Sequence, residues 1–313
     1  MEEYQPVKVE VFKKDQPVLF NVYLKIGDRF LLYCRKNTVF EAKRLNKLLE
    51  KKLPALYILS SEKHLYKQYL NQRLNNLLEN KKLPLQTRCE LIQEALQDLI
   101  ESFIKKPQDE ILYQKLLFAG LKYGDFLYNT SGAFLSIYPV SVPNSPLLAH
   151  SLHVATLALG ILRETNFNQE NHRTHLAVGA FLHDIAHFYT GFDITQNPKA
   201  LSEEKQHDYR KHPRDGALKL KELSFFNPLI AKLVLQHEEK IDGSGFPQKL
   251  TEKNIEPLAL IIGVANAFDK LIIQGTPPKD ALKKMLINSV GEYPLDFLQA
   301  LQSFLKKENL APL

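Results

Sequence analysis

Cysteine is scarce. The 313-residue chain has two, Cys34 and Cys89, 55 positions apart, which form neither a disulfide framework nor a zinc knuckle. Long apolar runs are scarce too. The longest, 258–268, falls short of the roughly 20 residues that a membrane-spanning helix needs, and it contains Asn266. The opening Met1-Glu2-Glu3 lacks the basic-then-apolar pattern of a leader. No internal repeat, low-complexity tract or dense run of one charge is found. These absences argue against disulfide-rich secreted, membrane-spanning and disordered classes, and the expectation is a cytoplasmic globular protein.

What is present is ordinary core material, 44% hydrophobic and 24% charged, in a length that suggests about two domains. The net charge of +6 sits in one part. Residues 1–140 hold 22 basic against 16 acidic side chains, whereas 141–313 hold 19 of each. The basic pairs, such as Lys13-Lys14, Lys51-Lys52 and Lys81-Lys82, are dispersed. That spacing reads as a solvated surface, so neither nucleic acid nor a membrane is the expected partner.

The pattern changes along the chain. Residues 7–12, 18–24 and 30–33 alternate as three short antiparallel strands would, separated by turns at 14–17 and 26–28. Helices are expected over 40–51 and 61–80, with a short strand at 55–59. Residues 1–80 thus read as a small α+β module. From 85 onwards the period is helical, with long helices at 85–105 and 109–127 in a linking segment, 81–144, that includes an irregular stretch at 129–144. Ser145 is the expected N-cap of the next helix and Pro146 its first residue. That helix carries Leu148, Leu152, Ala155, Leu159 and Leu162 towards a core. Further helices are expected over 174–188, after Ser202, after Asn227-Pro228, over 256–273, and twice more before the C-terminus.

Histidine carries the sharpest signal. Nine of the ten lie between His150 and His237, and imidazole is both a common metal ligand and a group that titrates near neutrality. His183 and Asp184 are adjacent, so on one helix they would diverge by about 100°; at a helix end both can turn to one region. A carboxylate can bridge two cations, and two cations about 3.5–4 Å apart can clamp a phosphate. Mixed imidazole and carboxylate donors suit iron, manganese, zinc or nickel better than calcium. His212-Pro213 and His237-Glu238 follow, each before an apolar segment. His153, His172, His175 and His207 are expected at the surface or beside the ligands, Glu238 as a group orienting a histidine, and Asp269 in a structural role.

The segment Gln236-His237-Glu238-Glu239-Lys240-Ile241-Asp242-Gly243-Ser244-Gly245-Phe246-Pro247 resembles the His-His-Glu…Asp-Gly-x-Gly-Tyr-Pro signature of the HD-GYP branch of the His-Asp phosphohydrolases. Leu201-Ser202-x-Glu204 leading to His212-Pro213-x-x-Gly216 is similar to that branch's intervening segment. The resemblance covers about 145–310. It implies a mainly α protein: an all-helical HD-type domain over 145–313 preceded by the small N-terminal α+β domain. It also implies hydrolysis of cyclic di-GMP or a related phosphodiester in bacterial signalling, at two divalent metal ions, iron first and manganese or zinc as alternatives. Carried over by position, His150, His183 and Asp184 ligate the first metal and Asp184, His212 and His237 the second. Gln236 stands where the family has a second-metal histidine, and Asn266 where it has a first-metal aspartate. Pro146 stands where a third metal's glutamate would be. Asp184 and His187 are the expected catalytic pair. Substrate contacts are expected from His187 (in place of a lysine, and only if protonated), Lys279, Gly243, Gly245 and Phe246, the last replacing a tyrosine. The alternative is a catalytically weak metal- and nucleotide-binding receptor or scaffold. In either case the N-terminal module would be the regulatory part, with a signalling protein as its partner.

Overall fold

The computed structural model describes residues 3–14, 16–51, 53–72, 74–138, 145–167 and 170–310. The chain divides into two compact units at Asp98/Leu99, beyond the 80/81 boundary read from the sequence.

The first unit is built on a four-stranded antiparallel sheet in the order β1-β4-β2-β3: β1 (Tyr4–Val7), β2 (Val22–Ile26), β3 (Arg29–Cys34) and β4 (Leu56–Leu59). Its helices are α1 (Ala42–Glu50), α2 (Lys63–Gln72) and α3 (Leu74–Glu79). The strand expected at 7–12 is corrected. Val7, Val9 and Val11 are all buried, but only β1 finds a partner, in β4. Beyond it the backbone closes a 3₁₀ turn, with Val11 N donating to Lys8 O and Phe12 N to Val9 O. Alternating burial needs a neighbouring strand before it becomes a ladder. Phe20, Leu56, Ile58, Tyr69 and Leu70 form the centre of this unit's core.

Helix α4 (Leu85–Lys105) matches its expected span and runs across the division. The second unit continues with α5 (Glu110–Asn129), capped by Asp109, whose carboxylate accepts from Ile111 N and Leu112 N, and α6 (Ala133–Ile137). Then come α7 (Pro146–Arg163), α8 (Glu170–Leu182), α9 (Ile185–Thr190), α10 (Glu203–Tyr209), α11 (His212–Lys221), α12 (Pro228–Gln236), α13 (Pro257–Ile273), α14 (Pro278–Asn288) and α15 (Leu295–Lys307). Of the stretch expected to be irregular, 129–144, residues 133–137 instead form α6, and 139–144 lie outside the described residues.

Helix α7 is the axis. It packs on α8, α13 and α15, α5 covers α8, and α12 lies against α8, α11 and α13. All five apolar residues expected to face the core from α7 are buried, and each large one stabilises the fold by about 1.5–3 kcal/mol. Contrary to the expectation of no such run, α7 is long and apolar enough to cross a membrane by length and composition, but 72% of it is buried inside the protein. A helix apolar all round that packs on three others is a core helix. Ser145 is not the side-chain cap expected of it: its hydroxyl makes no capping bond, and Pro146 alone marks the first turn. The helix expected over 174–188 is broken into α8 and α9. His183 and Asp184 lie between them, Asp184 at φ −100° and ψ 23°, which frees these neighbours from the 100° divergence that one helix would impose.

Candidate metal centre

Four elements deliver side chains to one buried point. His150 comes from α7, His183 and Asp184 from the α8–α9 break, His212 from the start of α11, and His237 from the end of α12. His150, His183, Asp184 and His237 have no exposed surface, and His212 is 4% exposed.

Asp184 is the hub. Its Oδ2 lies 3.5 Å from His150 Nε2 and 3.3 Å from His183 Nε2, and its Oδ1 lies 3.1 Å from His212 Nε2 and 3.5 Å from His237 Nε2. Both carboxylate oxygens are nevertheless buried without a hydrogen-bond partner. The histidines explain why. His183, His212 and His237 each direct Nδ1 to a backbone carbonyl three residues earlier, on Ala180, Tyr209 and Val234, at 2.7–2.8 Å. Those bonds assign the proton to Nδ1 and leave a lone pair on Nε2. The Nε2 atoms then face one another, His150 to His183 at 3.2 Å and His212 to His237 at 3.1 Å. Lone pairs opposed at that distance, around a carboxylate without hydrogen-bonded donors, need a positive charge among them: a bound cation or, without one, the proton that His150 gains. The donor set therefore fits metal cations, and donor atoms of His150, His183 and Asp184 lie within 4.8 Å of one another, as do those of Asp184, His187 and His212 and those of His212, His237 and Glu238.

Neighbouring groups fix this geometry. Asp269 Oδ2 accepts from His150 Nδ1 at 2.7 Å, and Tyr138 OH donates to Asp269 Oδ1, so Asp269 orients a candidate ligand. Asn266 faces the cluster, with Oδ1 3.1 Å from His150 Nε2 and Nδ2 donating to Glu238 Oε1. Burial acts to lower the His150 pKa, but the carboxylates of Asp184 and Asp269 beside it outweigh burial and raise it to about 9. Burial would raise Asp184, yet the imidazoles around it hold it well below the usual carboxylate range.

These shifts give a signed prediction for the metal-free protein. A histidine raised above its unfolded value of about 6.5 contributes stability that is complete below that pH and is lost as pH rises towards 9. Burial lowers His187 and His212, so their effects fall below about pH 6.5. The Tm in chelator is expected to fall between pH 6.5 and 9, and His150→Gln to flatten that slope in parallel thermal melts. An unchanged slope in the variant would assign it elsewhere.

Beside the cluster opens a cavity of about 600 Å³, whose lining includes Tyr209, Arg210, Glu238, Lys240, Gly245, Phe246, Lys249 and Lys270. Lys270, which the sequence reading passes over, supplies its most deeply set cation. Its Nζ donates to Glu238 Oε1 at 2.7 Å and to Tyr209 OH at 2.8 Å. Burial would lower the Lys270 pKa, but Glu238 overrides it and raises the pKa well above the ordinary value. Glu238 therefore holds Lys270 and Asn266 more closely than any histidine; His237 Nε2 is 4.0 Å away. A charged pair at the buried end of the apolar helix α13, Asp269-Lys270, is the signal that could have exposed both.

Glu239 builds the glycine loop. Its buried carboxylate accepts from Gln248 N at 2.6 Å and Leu250 N at 2.9 Å. Gly245 packs against that turn, where a Cβ would meet Glu239 Cα at 2.5 Å and Glu238 O at 2.6 Å. Gly243 adopts φ +77°. Because Gly245 abuts backbone that cannot rotate away, Gly245→Ala is expected to destabilise the unit by about 3 kcal/mol, read as a fall of several degrees in Tm. A melt within a degree of wild type would show that the loop yields.

Three sequence expectations are corrected. Gln236 does not face the cluster: its Oε1 accepts from Glu256 N at 2.8 Å and its Nε2 donates to Asn254 O, so it secures the start of α13. Lys279 is exposed in the first turn of α14 and is absent from the cavity lining. His187 is buried, which pulls its pKa to about 3, and a neutral ring offers a phosphate no charge. Among the remaining histidines, His153 contacts Asp269 at 3.4 Å, His172 and His175 bond to Phe167 O and Asn227, and His207 is exposed.

An all-helical unit that gathers histidines about a His-Asp pair defines an HD-domain protein, and the HD domain family matches residues 140–290. Bd1817, an HDG"Y"P protein from Bdellovibrio bacteriovorus, is 32% identical over 97% of this chain and 100% of its own, with a TM-score of 0.74. The chain belongs to the HD-GYP family. Among curated proteins it is similar to the cyclic di-GMP phosphodiesterase PdeB of Borreliella burgdorferi, 30% identical over 48% of this chain and 45% of that protein. It is also similar to the cyclic di-GMP phosphodiesterase PA4108 of Pseudomonas aeruginosa, 25% identical over 55% of this chain and 46% of that protein. The chain thus spans about half the length of these curated relatives.

Proposed function

We propose that the chain is a phosphodiesterase with a binuclear metal centre acting on a cyclic dinucleotide, cyclic di-GMP first among them. The observation that carries this is Asp184: both oxygens lack hydrogen-bond donors, and each faces a separate histidine pair. The substrate class follows from the family's curated relatives, PdeB and PA4108.

His150, His183, Asp184 and Asn266 would hold one cation, and Asp184, His212 and His237 the other. Bound there, such cations supply Lewis-acid polarisation of a phosphodiester and acidification of water. Asp269 keeps the proton of His150 on Nδ1, so that Nε2 stays directed at the centre. Lys270 Nζ, kept protonated by Glu238, neutralises charge that grows on the phosphoryl oxygens. Phe246, its ring 5.9 Å from Tyr209, offers an apolar edge to a base. The backbone at Gly243 and Gly245 shapes the floor of the cavity. Residues 1–98, a compact unit of their own, serve as the regulatory part.

One observation favours the second reading, a receptor that binds without turnover. Asp184 is the carboxylate that faces both histidine pairs, while Asn266 is neutral, Gln236 is turned away, and Glu238, 4.0 Å from His237 Nε2, is paired with Lys270. Incubation of the iron-loaded, reduced protein with cyclic di-GMP separates the two. Linear dinucleotide or GMP in the chromatogram supports the enzyme, and saturable binding without product supports the receptor. Less than one equivalent of metal per chain after reconstitution would end both.

A further inference from the structure

Within the binuclear reading proposed above, on which this inference rests, the half of the centre facing Asp184 Oδ1 is one donor short. It has His212 and His237; Glu238, whose carboxylate also lies near these two, is engaged by Lys270 and Asn266, and the position that resembles a third ligand, Gln236, is committed to the backbone of Glu256 and Asn254. Releasing that amide would leave the start of α13 without its partners.

A third imidazole already stands there. His187 lies on α9, one turn beyond Asp184. It is 3% exposed, and its Nε2 is buried with no hydrogen-bond partner. That atom is 3.8 Å from Asp184 Oδ1, the oxygen that also faces His212 and His237. The His187 ring centre is 4.2 Å from that of His212. Its orientation is set by packing: Phe192 stacks on it at 4.7 Å and Tyr209 at 5.6 Å. A buried imidazole nitrogen without a hydrogen-bond partner is costly, and a cation reaching the lone pair of the Nδ1-protonated ring would remove that cost.

We propose that His187 Nε2 is a ligand of the second metal, taking over from the position occupied by Gln236. The Oδ1 half then has three imidazoles and a carboxylate oxygen, a set suited to iron or zinc. The Oδ2 half has two imidazoles, the carboxylate and the Asn266 amide oxygen. A histidine used this way is unavailable to the substrate phosphate, which leaves Lys270 as the cation beside it.

The test is metal stoichiometry in the full chain, reconstituted anaerobically with Fe(II) or Co(II), desalted and read by elemental analysis, with the visible Co(II) spectrum as a second readout. His187→Phe keeps a ring between Phe192 and Tyr209 but removes the donor. Wild type is expected to retain two equivalents, His187→Phe one, and Gln236→Ala two. In His187→Ala, added imidazole is expected to restore the second equivalent and its Co(II) band. Two equivalents in His187→Phe, loss of one in Gln236→Ala, or failure of imidazole rescue would each overturn the assignment while leaving the binuclear reading intact. Less than one equivalent in wild type would instead remove that reading, and this inference with it. If His187→Phe does not fold, the imidazole rescue decides alone.

Discussion

Asp184→Ala is expected to leave the purified chain with at most one metal equivalent and to lower kcat/KM by ~10⁴-fold, about 5 kcal/mol of transition-state stabilisation. The size follows from position. Four imidazole nitrogens lie 3.1–3.5 Å from its two oxygens, and no hydrogen bond competes for them. The variant therefore loses the group proposed to bridge both cations, together with the nearest negative charge that could offset them. A ligand held a thousandfold above its Kd stabilises the folded state by about 4 kcal/mol, so loss of one metal should lower the Tm of the loaded protein by about 10 °C. Melts with and without chelator identify the source: the gap between wild type and variant should shrink once metal is removed from both. Two retained equivalents would show that Asp184 is not shared.

Much of this site is legible in the sequence because the candidate ligands come with their helices. His150 and the apolar stripe of α7 are read together, as are Asn227-Pro228 and the helix that ends at Gln236. The elements misread are those decided by partners distant in the chain. Residues 7–12 have the alternation of a strand, but the ladder that β1 forms with β4 ends at Val7, and residues 8–12 lie beyond it. The break at His183-Asp184 carries no proline or glycine, so periodicity runs through it. Gln236 shows the limit of motif position as a guide to side-chain direction. The two backbone groups that claim its amide belong to residues 254 and 256, beyond the glycine loop. Lys270 is hidden for the same reason, since its partner Glu238 is 32 residues away.

Lys270→Met should separate binding of metal from handling of phosphate. Metal content is expected to stay at the wild-type value, because Lys270 contacts Glu238 and Tyr209 and none of the histidines. By contrast, kcat/KM should fall by ~10²–10³-fold, the usual effect of removing one charged donor from developing oxyanion charge. The substitution also leaves Glu238 without its cation, and a buried unpaired carboxylate costs about 3 kcal/mol. Lys270→Met combined with Glu238→Gln should therefore recover stability without recovering activity, which distinguishes a chemical role from a structural one. The pH dependence follows the same pair. Glu238 is lowered, its burial being outweighed by Lys270, and so adds stability above its unfolded value of about 4.3 that is lost as pH falls through the folded pKa. Lys270 is raised, and adds stability below about 10.4 that is lost as pH climbs through its folded pKa. Between those limits the pair stays charged, so in wild-type activity the alkaline limb from Lys270 should lie above the ordinary lysine value of about 10.4. In Glu238→Gln the main counter-charge is gone and burial is free to lower the Lys270 pKa, so an alkaline limb should appear at lower pH than in wild type. Coincident alkaline limbs in the two proteins would mean that Lys270 does not carry the charge presented to the phosphate.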